Sequence, residues 1–224
     1  MTGTIIPPTL PEIIYPENDG KPMSENTKQF QLIVKIQGGL DALFKDNENV
    51  FVAGDLLWYP VEGDNKTRQA PDTMVVFGRP KGDRGSYQQW LEDNIAPQVV
   101  FEILSPGNRM GEMFKLFKFY EKYGVEEYYV YAPEDNELIG WLRSNGELNY
   151  IESMEGWVSP RLGIRFETAS GDLEIYRPDG LKFLSYVELS RQMEEERQEK
   201  ELAQEKANRL AEKLREMGIN PEEI

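Results

Sequence analysis

Seven consecutive residues, Gln98-Val99-Val100-Phe101-Glu102-Ile103-Leu104, constrain this chain more than any other stretch. A short apolar run rich in β-branched and aromatic side chains, closed by Ser105-Pro106-Gly107-Asn108, has the pattern of a central strand in a buried sheet. Glu102 interrupts that run. An unpaired carboxylate in such a place is expensive, so it must be paired with a basic side chain or held against a cation.

The flanking sequence supplies partners for the strand. Phe30, Ile33, Val34, Leu40, Leu43 and Phe44 recur at helical spacing, predicting a helix from Ser24 or Asn26 to about residue 46, weakened in its middle by Gly38-Gly39. VFVAGDLLWY (50–59) reads as one strand, and Ala70-Pro71-Asp72 opens a second, Thr73–Phe77. The Gly- and charge-rich stretch around GRPKGDRG lacks the spacing of a phosphate-binding loop and is expected to be an exposed loop. After Ser105-Pro106 a helix is expected to run to Tyr123, with Gly124 as its stop. EYYVYA (127–132) and ELIGWLR (137–143) form a hairpin, Asn145-Gly146 turns the chain again, LNYIE continues the meander, and residues 157–187 close the domain with short strands. The expected fold class is therefore α/β on a mixed sheet. Its domains are an extended Pro-rich strap (1–24), a core domain (25–185), a C-terminal helix (186–217) and a short tail (218–224).

Composition narrows the chemistry. The chain has no histidine and no cysteine, which excludes imidazole general bases, Ser-His-Asp triads, thiol catalysis and Cys- or His-ligated metal. Carboxylates, lysines and hydroxyls remain. The net charge is -15, which opposes a polyanionic partner held by bulk charge alone. The tail from Ser190 has 10 acidic and 7 basic residues, so the preceding body carries -12. Lys81, Arg84, Arg109, Lys115, Lys118 and Lys122 are the residues from which a local basic strip could form. No apolar run approaches membrane-span length, and the N-terminus lacks a signal-peptide pattern, so a cytoplasmic protein with no membrane partner is expected.

From Tyr186 the composition shifts to Glu, Lys, Arg, Gln, Ala and Leu. Positions 186, 189, 193, 196, 200, 203, 207, 210, 214 and 217 alternate by three and four, giving a heptad seam interrupted by Glu196 and Lys200. Two readings are open, a solvated helix docked on its own domain and a coiled coil that makes a homodimer.

Asp72 joins Glu102 as a second acid at an apolar strand. Like charges on adjacent strands repel, and a divalent ion resolves the repulsion; with only oxygen ligands to offer, the chain points to Mg²⁺ or Mn²⁺. The plainer alternative is an Asp that caps a turn and a Glu that pairs with a buried Arg or Lys.

QAPDTMVVF, VVFEILSPGN and FYEKYGVEEYYVYAPE together resemble a bacterial restriction-endonuclease-related family of the PD-(D/E)XK superfamily, a branch long labelled a domain of unknown function. The resemblance spans residues 24–143 and extends to the Glu- and Lys-rich coiled C-terminus. It implies a restriction-endonuclease-like core, a Mg²⁺ site at one sheet edge, and Mg²⁺-dependent endonuclease activity on DNA. Asp72 matches the Asp of the PD motif and Glu102 the acid of (D/E)XK, with the Ile103 carbonyl as a further ligand. The strand lysine is absent, because its position is Leu104. The helix position that supplies a lysine in this branch is occupied by Leu116. Lys115 lies about 100° around the helix from that slot and Lys118 about 160°; of the two, Lys115 is the candidate catalytic lysine. Glu25 and Gln29 at the first helix start are candidates for a third ligand or a water contact. Asp55 either faces the site or pairs with a cation across the sheet. Tyr128, Tyr129 and Tyr131 read as half-buried strand packing. The alternative function is a nuclease fold that has lost its lysine and serves as a binding or dimeric scaffold.

Overall fold

The computed structural model describes residues 13–20, 22, 24–218 and 220. The chain divides into two compact units, residues 1–183 and 184–224. The first is built on a six-stranded mixed sheet, with strands β1 (Val50–Ala53), β3 (Thr73–Phe77), β5 (Val99–Ile103), β6 (Glu127–Ala132), β7 (Glu137–Ser144) and β8 (Glu147–Tyr150) side by side in that order. Every neighbouring pair is antiparallel except β5 and β6, which are parallel and joined by helix α2 (Met110–Tyr123). A parallel pair needs such a crossover, because no tight turn can return the chain to the same end of the sheet.

Alternation along the strands sends side chains to two separate cores. Val52, Val75, Val99, Phe101 and Tyr129 face Ile33, Ile36 and Leu40 of helix α1 (Thr27–Leu43), together with Phe166 and Ile175. Phe166 and Ile175 belong to the small hairpin β9 (Arg165–Glu167) and β10 (Glu174–Tyr176). Phe51, Met74, Val100, Tyr128 and Val130 face Tyr120, Phe117 and Met113 of α2. Both faces of the sheet are thus covered, as the largely apolar sequence of β5 requires.

Several elements are shorter than the sequence periodicity suggests. Asn26 caps α1 through its side chain, which accepts from Gln29 N at 2.8 Å, and the helix ends at Leu43 rather than near residue 46. VFVAGDLLWY is not one strand. Asp55 sits in the left-handed region at φ 49°, which breaks the run after Ala53 and diverts Trp58–Tyr59 (β2) into a separate two-stranded sheet with Tyr87–Gln88 (β4). The α2 helix starts at Met110 rather than directly after Pro106, because Ser105–Asn108 fold back as a turn in which Asn108 Oδ1 accepts from Ser105 N at 2.6 Å. Asn145 and Gly146 both take positive φ, as the tight β7–β8 turn demands. Tyr128, Tyr129 and Tyr131 are fully buried rather than half-buried.

Residues 1–12 of the Pro-rich strap lie outside the described residues. Of the remainder, Tyr15 packs its ring on Tyr59 and Trp90, and the Pro16 carbonyl accepts from the Tyr59 hydroxyl at 2.6 Å. The second unit contains a single helix, α3 (Tyr186–Glu216), started by a reciprocal cap between Ser185 and Glu188.

Candidate active site

The site lies where β3 begins and β5 ends. The antiparallel register pairs Thr73 with Phe101, so one step further along, Asp72 stands beside Glu102 on the same face of the sheet, the face covered by α2. At this corner β3 has run out, and the N–H and C=O of Ile103 point toward an edge with no backbone to meet them. Side chains take over. Asp72 Oδ2 accepts from Ile103 N at 2.6 Å, and the Gln29 amide donates from Nε2 to the Ile103 carbonyl at 2.8 Å. Gln29 is itself fixed by Glu25 N, which donates to its Oε1 at 2.8 Å.

Glu102 has one oxygen engaged: the Tyr120 hydroxyl of α2 donates to Oε1 at 2.5 Å. Among the described residues neither Asp72 nor Glu102 makes an ion pair with any Lys or Arg. Two neighbouring carboxylates in a low-dielectric corner with no counter-charge hold their protons tightly. Burial pushes Asp72 up to about 7, against the opposing pull of the Ile103 N–H and with a further push from Asp55. Burial raises Glu102 well above the ordinary range, and the Asp72 charge raises it further. The Tyr128 hydroxyl lies buried in the same layer and has no hydrogen-bond partner among the described residues.

Both acids open onto a cleft of about 470 Å³ that Lys115, Leu116, Leu104 and Asp55 also line. Lys115 is solvent-exposed on the α2 side of that cleft. Lys118 is elsewhere, paired with Glu121 at 2.7 Å and lying over the Phe114 and Phe117 rings. Leu116 packs into the α2 core layer. Asp55 faces the cleft and has no cation paired with it among the described residues; burial and Asp19 raise its pKa. Glu25, a candidate for a third ligand or a water contact, lines the same cleft and accepts from the Ser105 hydroxyl. Among the described residues three or more carboxylates do not gather around one point.

The oxygens present still suit a hard dication. Mg²⁺ keeps several waters and is commonly bound by one or two carboxylates, completed by substrate phosphate. Once ionised, the acid pair would carry charge that no Lys or Arg ion pair balances among the described residues. The basic strip is shorter than the sequence suggests. Lys81 pairs with Asp41 at 3.2 Å, and Arg84 pairs with Glu92 at 2.6 Å while its guanidinium covers Phe51. Arg109, Lys115 and Lys122, all exposed on α2 or at its start, are what remain.

Tyr120 went unread in the sequence as more than an apolar-face residue. Its signal was available: a tyrosine on a buried helix face needs a partner for its hydroxyl, and the only polar interruption of the facing strand is Glu102.

A sequence profile of the Uma2 family, described as putative restriction endonucleases, matches residues 19–167. The chain belongs to this family. The matched span runs from before α1 through β9 and contains Asp72, Glu102 and Lys115. Among solved structures, the crystal structure of a putative nuclease belonging to DUF820 from Anabaena variabilis aligns at 17% identity with a TM-score of 0.46. The alignment covers 64% of this chain and 79% of that one. No curated protein is a significant match. Among the described residues no helix is long and apolar enough to cross a membrane.

Proposed function

We propose that the chain is a Mg²⁺- or Mn²⁺-dependent endonuclease that hydrolyses phosphodiester bonds in DNA. One observation carries this reading: Asp72 and Glu102, side by side at the end of the sheet, open onto one cleft, and among the described residues neither is ion-paired with a Lys or Arg. Membership of a family described as putative restriction endonucleases supports it.

Asp72, Glu102 and the Ile103 carbonyl would hold the cation. Bound there, a hard dication supplies Lewis acidity toward both a phosphate and water. The residues around it have separable tasks. Tyr120 holds one Glu102 oxygen and would leave the other available to a bound cation. Ile103 N–H does the same for Asp72 through Oδ2. Gln29 fixes the Ile103 carbonyl, which retains a second lone pair. Lys115 extends from the α2 rim to meet the charge that builds on the phosphate oxygens. Arg109 and Lys122 give the same rim a positive border for backbone phosphates.

The test is cleavage of plasmid and linear DNA with 5 mM-scale Mn²⁺ or Mg²⁺, an ordinary assay range chosen to saturate sites of roughly millimolar affinity. Asp72→Ala and Glu102→Ala each abolish cleavage, and Lys115→Ala lowers it by about 10²-fold, as loss of a charge-stabilising donor does. Activity that persists in both acid variants overturns the site. One feature favours a second reading: leucine at both positions where the family resemblance expects a lysine, Leu104 and Leu116. A wild-type protein that is inert with bound Mn²⁺, together with a Leu116→Lys variant that cleaves, identifies a scaffold that has lost catalysis but kept its metal corner.

A further inference from the structure

Helix α3 carries a stripe of exposed apolar side chains that its own unit leaves uncovered. Tyr186 is 81% exposed, Met193 63% and Leu210 60%. The stripe contains two charges, Glu196 and Lys200, and two alanines, Ala203 and Ala207. Within the chain Glu196 accepts an amide from Gln192 at 2.9 Å, and among the described residues Lys200 makes no ion pair.

We propose that this face binds a second copy of the chain as an antiparallel coiled coil, in the one register that sets Glu196 of each copy against Lys200 of the other. The same register pairs the seam from Tyr186 to Leu210. Met193 meets Ala203, Leu189 meets Ala207, and Tyr186 meets Leu210, each contact made twice by the two-fold symmetry. In the two alanine layers a large side chain faces a small one, which fills space evenly. The parallel in-register alternative fails on both counts. It sets Glu196 against Glu196 and Lys200 against Lys200, and it stacks alanine on alanine at 203 and 207. Seam charges that look like defects in one helix become the device that fixes orientation and register in two. Eight layers from Tyr186 to Leu210 span about 36 Å. This pairing stands independently of the chemistry at Asp72 and Glu102.

The full chain decides it, in two measurements. Sedimentation equilibrium shows a dimer for the wild type. Glu196→Lys or Lys200→Glu alone weakens it at least tenfold, because each brings like charges together. The double exchange restores it to within about threefold, while far-UV circular dichroism shows equal helix content throughout. The chain has no native cysteine, so single cysteines report cleanly. Leu189→Cys mixed with Ala207→Cys under mild oxidation gives the mixed disulfide, because disulfides form only where Cα atoms approach to about 6 Å. A monomer at every concentration, a double exchange as weak as the single ones, or a Leu189→Cys chain that cross-links chiefly to itself overturns the proposal.

Discussion

Asp72 and Glu102 occupy one corner of low dielectric constant, so ionising either makes ionising the other costlier. The folded pair therefore binds protons up to a higher pH than the unfolded chain does. This corner's contribution to stability is complete below the usual Asp value of 3.8 and is lost as pH rises through about 7, where Asp72 titrates. Replacing an acid by its neutral isostere removes that loss. Asp72→Asn or Glu102→Gln is expected to stabilise the metal-free protein at pH 8 by on the order of 2 kcal/mol, or roughly 4–8 °C in Tm, and to leave it nearly unchanged at pH 4. Thermal melts at the two pH values check this; equal effects at both would show that the carboxylates do not repel. Tyr120→Phe removes the donor to Glu102 and is expected to weaken Mn²⁺ binding by about tenfold with little change in fold, as loss of a ligand's supporting hydrogen bond does. Both acids were legible in the sequence, because a carboxylate inside an apolar strand is conspicuous. The partners that orient them were not. Tyr120 lies 18 residues from Glu102 and Gln29 lies 74 residues from Ile103, and no local pattern announces contacts that only the tertiary fold creates.

The two glycines of α1 look equivalent in the sequence and are not. Gly38 opens to free space, whereas a Cβ on Gly39 would lie 2.3 Å from the Phe183 ring. Gly38→Ala should stabilise by about 1 kcal/mol through helix propensity, and Gly39→Ala should destabilise by roughly 1–3 kcal/mol through overpacking. Chemical denaturation of the two variants checks the pair; a shared sign would contradict the packing of Phe183 on α1. Glu127 is a similar case on β6. Fully buried, it accepts from the Tyr129 hydroxyl at 2.9 Å and from Arg161 N at 2.6 Å, and also takes the Ser159 hydroxyl. It ties the turn before β9 to the sheet. Burial raises its pKa, and the three donors oppose that rise. Glu127→Ala should cost about 3 kcal/mol, because it leaves those donors without an acceptor. Helices and the β6–β8 meander could be read from periodicity and turn residues. The break at Gly54-Asp55 could not, since apolar residues continue on both sides of it and only the positive φ of Asp55 diverts the chain. That break also brings Asp55 to the cleft.

In a chain of net charge -15, the proposed action on DNA requires positive charge confined to a small area. Of the six basic residues that the sequence offers for this, Lys81 and Arg84 are spent on Asp41 and Glu92, and Lys118 on Glu121. Sequence counting could not separate free from committed cations, because their acidic partners lie on other elements or one helical turn away. With Arg109, Lys115 and Lys122 left, DNA binding is expected to be weak and to depend on the logarithm of salt concentration with a slope of about -3 or shallower, measurable by fluorescence anisotropy. In the proposed reaction a dication held by Asp72 and Glu102 would contribute to substrate binding as well as to chemistry, by neutralising the acids that would repel a phosphate. Isothermal calorimetry of the chain titrated with Mn²⁺ asks whether the two acids grip a dication. One Mn²⁺ per chain is expected at pH 8, with binding that weakens sharply below pH 6 and is lost in both Asp72→Asn and Glu102→Gln. Mn²⁺ binding unchanged in those variants, or no stoichiometric binding by the wild type at pH 8, would contradict it.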